Sequence, residues 1–441
     1  FQSPAAPFAI VPAQRPFLSG FFMAKPKDEF DLLIIGGGLV GLTLAIAMDR
    51  AGLSCAIVDR QTPAHTLEPD FDGRTCAIAF GSRLLLEALD IWPNMAEAAG
   101  PILDIRVSDG SSGFFLHYDH RDVGDQPFGH IVENRVIRHA LYKAFEGCTR
   151  ARLFAPAELE TIDFGEKRVR ARLKDGRELT AGLAVAADGR RSALRDMAGI
   201  RVDEWQYNQT AIVCTVAHEK PHLGIAQERF LAAGPFAILP MAPQSASDTE
   251  SAPAHPHRSS IVWTERTKLA PALMGLGEEG FGRELARRFG DYLGELKVIG
   301  PRWSYPLSLQ HARSYIGPRL ALIGDCAHAI HPISGQGLNL GLRDVAALAE
   351  VVADAHRLER DIGADEVLKR YQGWRRFDVL VLMAVTDGLN RLFSNDIAPI
   401  RLARDIGLGL VNRSGPLKKI FMRHAMGNVG DLPRLMQGRP L

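Results

Sequence analysis

The sequence predicts an α/β domain that is interrupted by a mostly antiparallel β domain and followed by a helical tail. Near the N-terminus, a buried strand at 31–35, a helix at 39–51 and a second buried strand at 55–59 form a βαβ unit. Residues 205–304 are instead dominated by β-rich runs. The chain from residue 365 onward has the pattern of helices.

The other elements follow from shorter patterns. Two β-rich runs in 104–119 surround Asp109 and Gly110, which is typical of a hairpin. The polar, proline-containing segment 242–258 is predicted to be a long loop between two strands. We further expect helices at 134–146, 278–295 and 337–357 and buried strands at 183–187, 210–216, 236–241, 260–264 and 319–323.

These elements predict discontinuous domains. The α/β domain comprises 30–100, 130–200 and 305–395, the β domain comprises 101–129 and 201–304, and a C-terminal helical segment covers 396–441. Residues 1–22 contain four prolines and no acidic residue, so we interpret them as a disordered extension or tag.

Composition restricts the class of protein. With 46% apolar and 23% charged residues, the 441-residue chain can build ordinary globular cores. A net charge of +1 provides no general attraction for nucleic acid, which we do not expect as a partner. The five cysteines are scattered and form no CxxC, which favours a reducing compartment. No apolar run is long enough to span a bilayer, and we expect a cytoplasmic protein.

A glycine-rich turn joins the first strand to its helix. Gly36, Gly38 and Gly41 form G-x-G-x-x-G, which permits a tight turn, close approach of a pyrophosphate and helix–strand packing. The phosphates would lie at the helix N-terminus, where free N–H groups favour negative charge. Asp59 ends the second strand and can accept from the ribose hydroxyls of an adenosine. The motif predicts binding of FAD or NAD rather than NADP.

Two further motifs follow buried strands. Asp188 and Gly189 end one strand, and Gly324 and Asp325 end another, at the sheet edge where open α/β folds bind ligands. Asp325 can bond a polyol such as the ribityl chain of a flavin. The segment that then opens a helix offers free N–H groups to a ring carrying negative charge; it contains Pro332, Gly335, Gln336, Gly337, Leu338 and Asn339.

The order of these three motifs resembles that of the FAD-dependent aromatic hydroxylases related to para-hydroxybenzoate hydroxylase. The resemblance implies a Rossmann-like FAD-binding domain of the glutathione-reductase type. It places Asp188 near the pyrophosphate and near the handling of NAD(P)H, and Asp325 on the ribityl chain. Arg74 resembles an arginine beside the flavin. Asn134 stands where the family has an Arg or Gln that contacts FAD, a departure from the pattern.

Four segments narrow the resemblance to the ubiquinone-biosynthesis hydroxylases, namely 132–135, 331–344, 386–393 and 404–408. This similarity implies a polyprenylated phenol as substrate, O2 as co-substrate and NAD(P)H as electron donor. In that family, reduced FAD reacts with O2 to give a C4a-hydroperoxide that hydroxylates the ring. The strand at 236–240 is our prediction for the substrate wall.

Other interpretations of the same features remain open or are disfavoured. A related flavin monooxygenase, a reductase of the same fold and a flavin-bearing scaffold of a biosynthetic complex are the alternatives to the main hypothesis. Cys326, His328 and His331 lie close together in sequence, but they fall inside the flavin motif without a fourth ligand at zinc-like spacing, so no metal is expected.

The tail suggests how a water-insoluble substrate is reached. Segment 400–411 is apolar on much of its surface and precedes Lys418, Lys419, Arg423 and His424. Such a helix pair can lie at a membrane surface or dock a biosynthetic complex, which predicts a protein peripheral to the inner membrane. We expect the tail to lie outside the flavin-binding unit, and the oligomeric state, a homo-oligomer included, stays open.

Overall fold

The computed structural model describes residues 28–68, 70–110, 115–243, 255–393, 415–427 and 430–441. The predicted extension 1–22, most of the insert 242–258 and the tail segment 400–411 lie outside the described residues.

The first part of the chain alternates strands and helices. Its elements are β1 (Glu29–Ile35), α1 (Leu39–Arg50), β2 (Cys55–Val58), α2 (Pro63–Thr66), β3 (Thr75–Ala79), α3 (Phe80–Ala88), β4 (Gly100–Ile102), β5 (Asp104–Asp109), β6 (Phe115–Asp119) and β7 (Gly129–Glu133).

The middle part contains most of the strands. Its elements are α4 (Asn134–Phe145), β8 (Ala151–Phe154), β9 (Leu159–Phe164), β10 (Val169–Leu173), β11 (Glu178–Ala186), α5 (Ala193–Met197), β12 (Val202–His218), β13 (Ile225–Leu231), β14 (Gly234–Pro240), β15 (His257–Arg266), α6 (Ala270–Met274), α7 (Glu278–Phe289) and β16 (Leu296–Ala312).

The last part is mainly helical. Its elements are β17 (Ile316–Gly317), β18 (Leu320–Leu322), β19 (His328–Ala329), α8 (Gly337–Arg357), α9 (Asp365–Phe393) and α10 (Gly415–Ala425).

Within the described residues, a first sheet of eight strands forms the α/β unit. Its main order is β17-β18-β11-β1-β2-β8, with β10 and β9 continuing from β11. β1 pairs in parallel with both β2 and β11. Leu32, Leu33 and Ile34 of β1 are fully buried, as expected for a central parallel strand covered on both faces. Strands β8 to β10 were not predicted.

A second eight-stranded sheet, as far as the chain is described, follows the order β19-β16-β12-β15-β14-β13-β5-β6. On one face, α7 packs against Phe236, Ile238 and Trp263 in a separate apolar cluster. β16 continues toward the first sheet and pairs with β19 through Gln310 and His311. The predicted interruption of an α/β unit by a mostly antiparallel sheet is confirmed.

Two predicted boundaries are wrong. The helix expected at 278–295 ends at Phe289, because the next residue, Gly290, has φ +80° and leaves the helical conformation. The loop expected over 242–258 ends earlier than predicted, since His257 and Arg258 begin β15. The predicted hairpin of 104–119 is confirmed by the antiparallel pairing of β5 with β6. The exact domain division stays a prediction.

The described part of the tail packs into the protein, so the expectation that it lies outside the flavin-binding unit is wrong. Leu435 and Met436 are buried in the core of the α/β unit. Met422 and Met426 join a second cluster with Ile131 of β7. The backbone N–H of Gly81 in α3 donates to the carbonyl of Met426 at 3.0 Å.

Candidate active site

One large cavity lies where the carboxyl ends of the parallel strands β1, β11 and β18 face the second sheet. Its volume is about 1590 Å³. Loops that carry the glycine motifs form one side, and the second sheet forms the other, with residues of β5, β6, β13 and β14 at mostly alternate positions and further residues of β12, β15 and β16. Its position is the one at which open α/β sheets bind ligands.

The glycine-rich turn after β1 is closed around its own backbone. Gly36 has φ +108°, and a Cβ there would lie 2.3 Å from the Ala187 carbonyl oxygen. A Cβ on Gly41 would lie 1.9 Å from the carbonyl oxygen of Gly36. Beside Gly38 there is open space, and this residue lines the cavity. The turn therefore needs glycine at two positions and presents bare backbone at the third.

Two helix N-termini point their free N–H groups at this cavity. α1 begins after Gly38 and α8 begins after Gln336, and neither has a side-chain cap or an acidic residue in its first turn. Gly38, Gly335, Gln336, Gly337 and Leu338 all line the cavity. Uncapped N–H groups and the helix dipole favour negative charge at both places.

Asp59 supports the first turn from the end of β2. One carboxylate oxygen accepts from the N–H of Gly37 at 2.6 Å, and the other accepts from the N–H of Gln61 at 2.7 Å. The side chain is half-buried and does not line the main cavity. Ribose binding by Asp59 stays a prediction. The structure shows in addition that its carboxylate stabilises the turn through these two hydrogen bonds.

The second and third motifs touch each other directly. The Cys326 thiol donates to Asp188 at 3.3 Å, and the N–H of Gly189 donates to Cys326 Sγ at 3.1 Å. Asp188 also accepts from the Ser192 hydroxyl at the start of α5. Burial raises the pKa of the Cys326 thiol well above its usual value, so the thiol stays protonated and can donate. Gly189 faces the cavity, whereas Asp188 does not line it and supports the turn from behind.

A buried charge cluster holds the Gly324–Asp325 turn. Asp344 of α8 accepts from the N–H of Gly324 at 2.8 Å and bonds His328 at 2.7 Å and Arg375 of α9 at 2.8 Å. Although burial alone would raise it, the pKa of Asp344 is held below its ordinary value by His328 and Arg375. Asp325 itself is exposed to the cavity. No group in the described chain donates a hydrogen bond to its carboxylate.

A second charge cluster orients Arg74. Asp72 is buried and accepts from Arg74, from Arg138 at 2.8 Å and from the Asn134 amide at 2.9 Å. These bonds hold the pKa of Asp72 well below its usual range, although burial acts in the opposite direction. The Arg74 guanidinium lies 5.1 Å from the ring centre of Tyr305, and both side chains line the cavity. Asn134 thus acts on Arg74 through Asp72.

Asn339 and Pro332 have different surroundings. The Asn339 side chain accepts from the N–H of Ala79 at 2.9 Å and donates to the Ala77 carbonyl at 2.8 Å, which ties α8 to β3. Its amide is therefore used inside the fold, away from the cavity lining. Pro332 starts a short 3₁₀ turn that lines the cavity and ends at Gly335, which has φ +62°.

The three residues considered for a metal point to separate partners. Cys326 bonds Asp188, His328 bonds Asp344, and His331 accepts from the N–H of Ile333 at 3.2 Å. Among the described residues, three side chains of types that bind metals do lie close together, but at a different place, namely Asp104, Asp119 and His120.

The strand predicted to form the substrate wall lines the cavity with one of its faces, and its contact with substrate stays a prediction. Ala237 and Leu239 of β14 face the cavity, whereas Phe236 and Ile238 pack on the opposite side of the sheet. This follows from strand geometry, because successive side chains of a β-strand point to opposite faces of the sheet.

Three contributors to the cavity were missed by sequence reasoning. Glu228 of β13 lines it, although nothing in the local sequence separates this acid from a surface residue. Phe421 and Met422 of α10 also line it, because the tail folds back over the opening. Gly275, Gly277 and Gly280 repeat the G-x-G-x-x-G spacing, but Gly275 and Gly277 lie between α6 and α7 and Gly280 lies in the first turn of α7, so this motif does not follow a strand.

These features fit FAD. The α1 N-terminus and Gly38 would hold the pyrophosphate, Asp325 the ribityl chain, and the α8 N-terminus the electron-accepting edge of the ring. When bound, FAD supplies the electron transfer and oxygen activation that amino-acid side chains do not provide.

Comparison with known proteins supports this assignment. An FAD binding domain model matches residues 29–379. The chain is 49% identical over 429 residues to ubiquinone hydroxylase UbiL of Rhodospirillum rubrum, covering 97% of each chain. It is 31% identical to 3-demethoxyubiquinol 3-hydroxylase of Escherichia coli, covering 90% of this chain and 98% of that one.

A solved structure supports the fold. The p-nitrophenol 4-monooxygenase PnpA from Pseudomonas putida superimposes with a TM-score of 0.73 over 92% of this chain and all of that chain, at 18% identity. From the domain match, the similarity of these sequences and the geometry of the cavity, we conclude that the chain belongs to the FAD-dependent aromatic hydroxylases, in the family of the ubiquinone-biosynthesis enzymes.

Proposed function

We propose that this protein hydroxylates the aromatic ring of a polyprenylated phenol, a precursor of ubiquinone. FAD is the cofactor, O2 is the co-substrate and NAD(P)H is the electron donor typical of this class of enzyme. The two relatives named above are a ubiquinone hydroxylase and a 3-demethoxyubiquinol 3-hydroxylase, which supports a ring hydroxylation.

The observation that carries the proposal is the continuity of the cavity. It extends from the glycine motifs to exposed apolar side chains of α9 and α10, among them Val385, Leu392 and Phe421. Between these ends the wall is mostly apolar. A ring that reacts next to a flavin and a long isoprenoid tail that leaves toward the surface require a site of this shape.

The protein's own task is to place the ring and keep water away. Phe230 of β13 stacks on Phe393 of α9 with ring centres 4.2 Å apart, and Ile333 packs with them. This cluster closes one side of the cavity near the turn that precedes α8. Excluding water there protects a reactive oxygen species from wasteful loss as peroxide.

Turnover by the purified protein tests the proposal. A phenol with one short prenyl chain, NADH or NADPH and ¹⁸O2 should yield a product with one labelled ring hydroxyl. Oxidation of NAD(P)H without labelled product would support a reductase. A flavin-loaded protein that turns over none of several prenylated phenols would support a scaffold.

The route of the electrons is tested separately. The second G-x-G-x-x-G runs from the end of α6 into α7 and does not follow a strand, so the described residues show no second nucleotide-binding turn of the βαβ type. Anaerobic mixing of the holoprotein with NADH or NADPH, in the presence of the phenol, should bleach the flavin. A flavin that stays oxidised with both would indicate a protein donor.

We also propose that the protein collects its substrate at a membrane surface. Among the described residues, none of the helices combines the length and the hydropathy that crossing a bilayer requires. α9 does present a stripe of exposed apolar side chains, formed by Phe377, Leu380, Val381, Val385 and Leu392. Exposed Lys419 and Arg423 lie on α10. An apolar stripe with a basic neighbour suits an anionic lipid surface.

The test replaces Phe377, Leu380 and Val381 with serine, because these three do not line the cavity. Sedimentation with vesicles of phosphatidylethanolamine and phosphatidylglycerol should fall, while the flavin content and the turnover of a short-tailed phenol stay unchanged. Unchanged sedimentation would contradict a membrane role for this stripe and leave a partner protein of the biosynthetic complex as its occupant.

A further inference from the structure

An acidic side chain projects from the apolar wall that faces the flavin loops. Glu228 lies in the centre of β13 and is paired with Val107 of β5 and Ala237 of β14. Both partners line the cavity, and so do Ala226 and Phe230, which flank Glu228 at alternate positions. The register therefore turns the Glu228 carboxyl into the cavity.

The position of Glu228 along the cavity is defined by two apolar clusters. Ala226 packs in the cluster that contains Met422 of the tail. Phe230 packs in the cluster that contains Ile333 and Phe393. Ile333 belongs to the turn that precedes α8, whose N-terminus faces the proposed ring site. Glu228 lies between these clusters, on the wall across from the flavin-binding loops.

The Glu228 carboxyl has no partner in the described protein. No side chain or backbone N–H in the described residues donates a hydrogen bond to it. Its neighbours Arg106 and Arg229 do not serve it, because Arg106 is exposed and Arg229 donates to the carbonyl of Arg288 at 2.6 Å on the far face of the sheet.

Titration of this carboxyl is shifted by its surroundings. Burial raises the pKa of Glu228 to about 8. On the same sheet, the cavity is also lined by Tyr118 of β6, whose pKa burial raises to about 12, by Tyr305 of β16 and by Glu204 of β12. The helices across the cavity face it with apolar residues, including Leu382 and Phe421. A carboxyl in such surroundings is costly unless a donor enters the cavity.

We propose that Glu228 is a catalytic residue that accepts the proton of the phenolic hydroxyl of the aromatic substrate. The inference rests on the proposed function, because a phenol is the donor that an otherwise apolar substrate would bring. Glu228 would hold the phenolic hydroxyl against β13 and raise the reactivity of the aromatic ring.

The proton balance is simple. The O–H bond of the phenol breaks, its electron pair stays on the phenolate oxygen, and an O–H bond forms on the Glu228 carboxylate. The phenolate is a better nucleophile at its ring carbons for the oxygen that the FAD, NAD(P)H and O2 reaction supplies. When the ring carbon later loses its hydrogen as a proton to solvent, Glu228 returns its proton to the former phenolate oxygen.

The experiment compares the FAD-loaded wild type with Glu228→Gln, which keeps the shape and cannot ionise. In the wild type, hydroxylation of a short-tailed prenylphenol should rise with pH through an apparent pKa near 8. In Glu228→Gln the rise should disappear, and the rate at high pH should fall by about 10²-fold, at the lower end of general-base effects. Glu228→Asp should recover part of the rate and the pH dependence.

A series of fluorinated prenylphenols of decreasing phenol pKa separates a base from a structural residue. Phenols that are already ionised at the assay pH need no base, so the deficit of Glu228→Gln should shrink along the series. A deficit that stays constant would overturn the proposal. Binding measured through the oxidised flavin spectrum provides a second readout, since the wild type should prefer a phenol over its methyl ether.

Glu295→Gln is the matched control, because Glu295 is an exposed acid of the same domain outside the cavity. It should retain the wild-type profile. If Glu228→Gln hydroxylates like the wild type at every pH, the role of Glu228 is wrong while the proposed function stands. If the wild type hydroxylates no prenylated phenol, the proposed function itself fails.

Discussion

At the scale of single residues, some polar groups of the site are available to a cofactor, whereas others already form hydrogen bonds within the described protein. The Asp325 carboxylate faces the cavity and accepts no hydrogen bond from the described residues, whereas both oxygens of Asp59 accept backbone N–H groups. Gly38 presents open backbone, whereas Gly36 and Gly41 are glycine because neighbouring atoms leave no space for a Cβ. Substitutions at these positions should therefore differ in what they disturb.

Replacing Asp325 with alanine should weaken FAD binding without loss of folding. The lost interaction is a hydrogen bond between a charged carboxylate and a ribityl hydroxyl, worth about 1.5–3 kcal/mol. We expect FAD titration to give a dissociation constant higher by about tenfold or more. Asp325→Asn should lose less, because its amide oxygen still accepts. An Asp325→Ala protein that binds FAD as tightly as the wild type would remove Asp325 from the site.

Gly41→Ala should disturb the fold as well as the site. The added Cβ would lie 1.9 Å from the Gly36 carbonyl oxygen, so helix α1 must move away from the turn. We expect loss of flavin absorbance and a lower melting temperature. Gly282→Ala in α7 is the control, since nothing lies within 4 Å of its Cβ. Normal flavin content in Gly41→Ala would contradict our account of the turn.

At the scale of elements, helices α8 and α9 and the tail connect the two sheets around the cavity. α8 holds Gly324 through Asp344 and β3 through Asn339. α9 reaches the second sheet, where the Tyr207 hydroxyl donates to Asp387 at 2.9 Å and Asn390 donates to Gln209 at 3.2 Å. The end of the chain returns to the first core through Met436.

The tail should therefore contribute to stability. Met436 is almost fully buried, so Met436→Ala should lower the free energy of unfolding by about 2–5 kcal/mol. Denaturant unfolding of the holoprotein measures this difference. Leu358→Ala is the control, since Leu358 is 63% exposed at the end of α8 and should change stability little. A Met436→Ala protein as stable as the control would show that the tail is dispensable for the core.

At the scale of the whole molecule, several histidines are held neutral in separate parts of the fold. Burial lowers the pKa of His130 in β7, of His218 in β12 and of His331 before α8 to about 4 in each case. The unfolded chain takes up these protons at higher pH, near 6.5. Between pH 6.5 and pH 4 the unfolded state thus binds more protons, so stability must fall as the pH falls.

As the pH falls through this window, each such histidine should reduce the free energy of unfolding by about 1 kcal/mol per pH unit. Denaturant unfolding between pH 7 and pH 4.5 measures the slope. His130→Phe, which removes one titrating group beside Trp92, should give a shallower slope. Leu358→Ala should not change it, because Leu358 carries no titratable group and is 63% exposed at the end of α8. Equal slopes in the wild type and His130→Phe would contradict the assignment.

Much of the fold was predictable because its signals are local in sequence. A buried strand followed by G-x-G-x-x-G and a helix fixes the turn of Gly36 and Gly41, since only glycine fits the required backbone geometry. The Asp188–Gly189 and Gly324–Asp325 turns likewise follow their strands. From these motifs the α/β unit and the class of cofactor could be predicted, and the β-rich runs of 205–304 predicted the inserted antiparallel sheet.

The tertiary structure alone decided which side chains meet in the cavity and which serve the fold. Asn339 and Asp188 were predicted to bind the cofactor, which stays a prediction, and the structure shows that their side chains also bond to β3 and to Cys326. Glu228 reads as a surface acid, yet the register of β13 turns it into an apolar cavity. The physical reason is that a side chain's role depends on the strand or helix packed against it, and such long-range packing has no local sequence pattern.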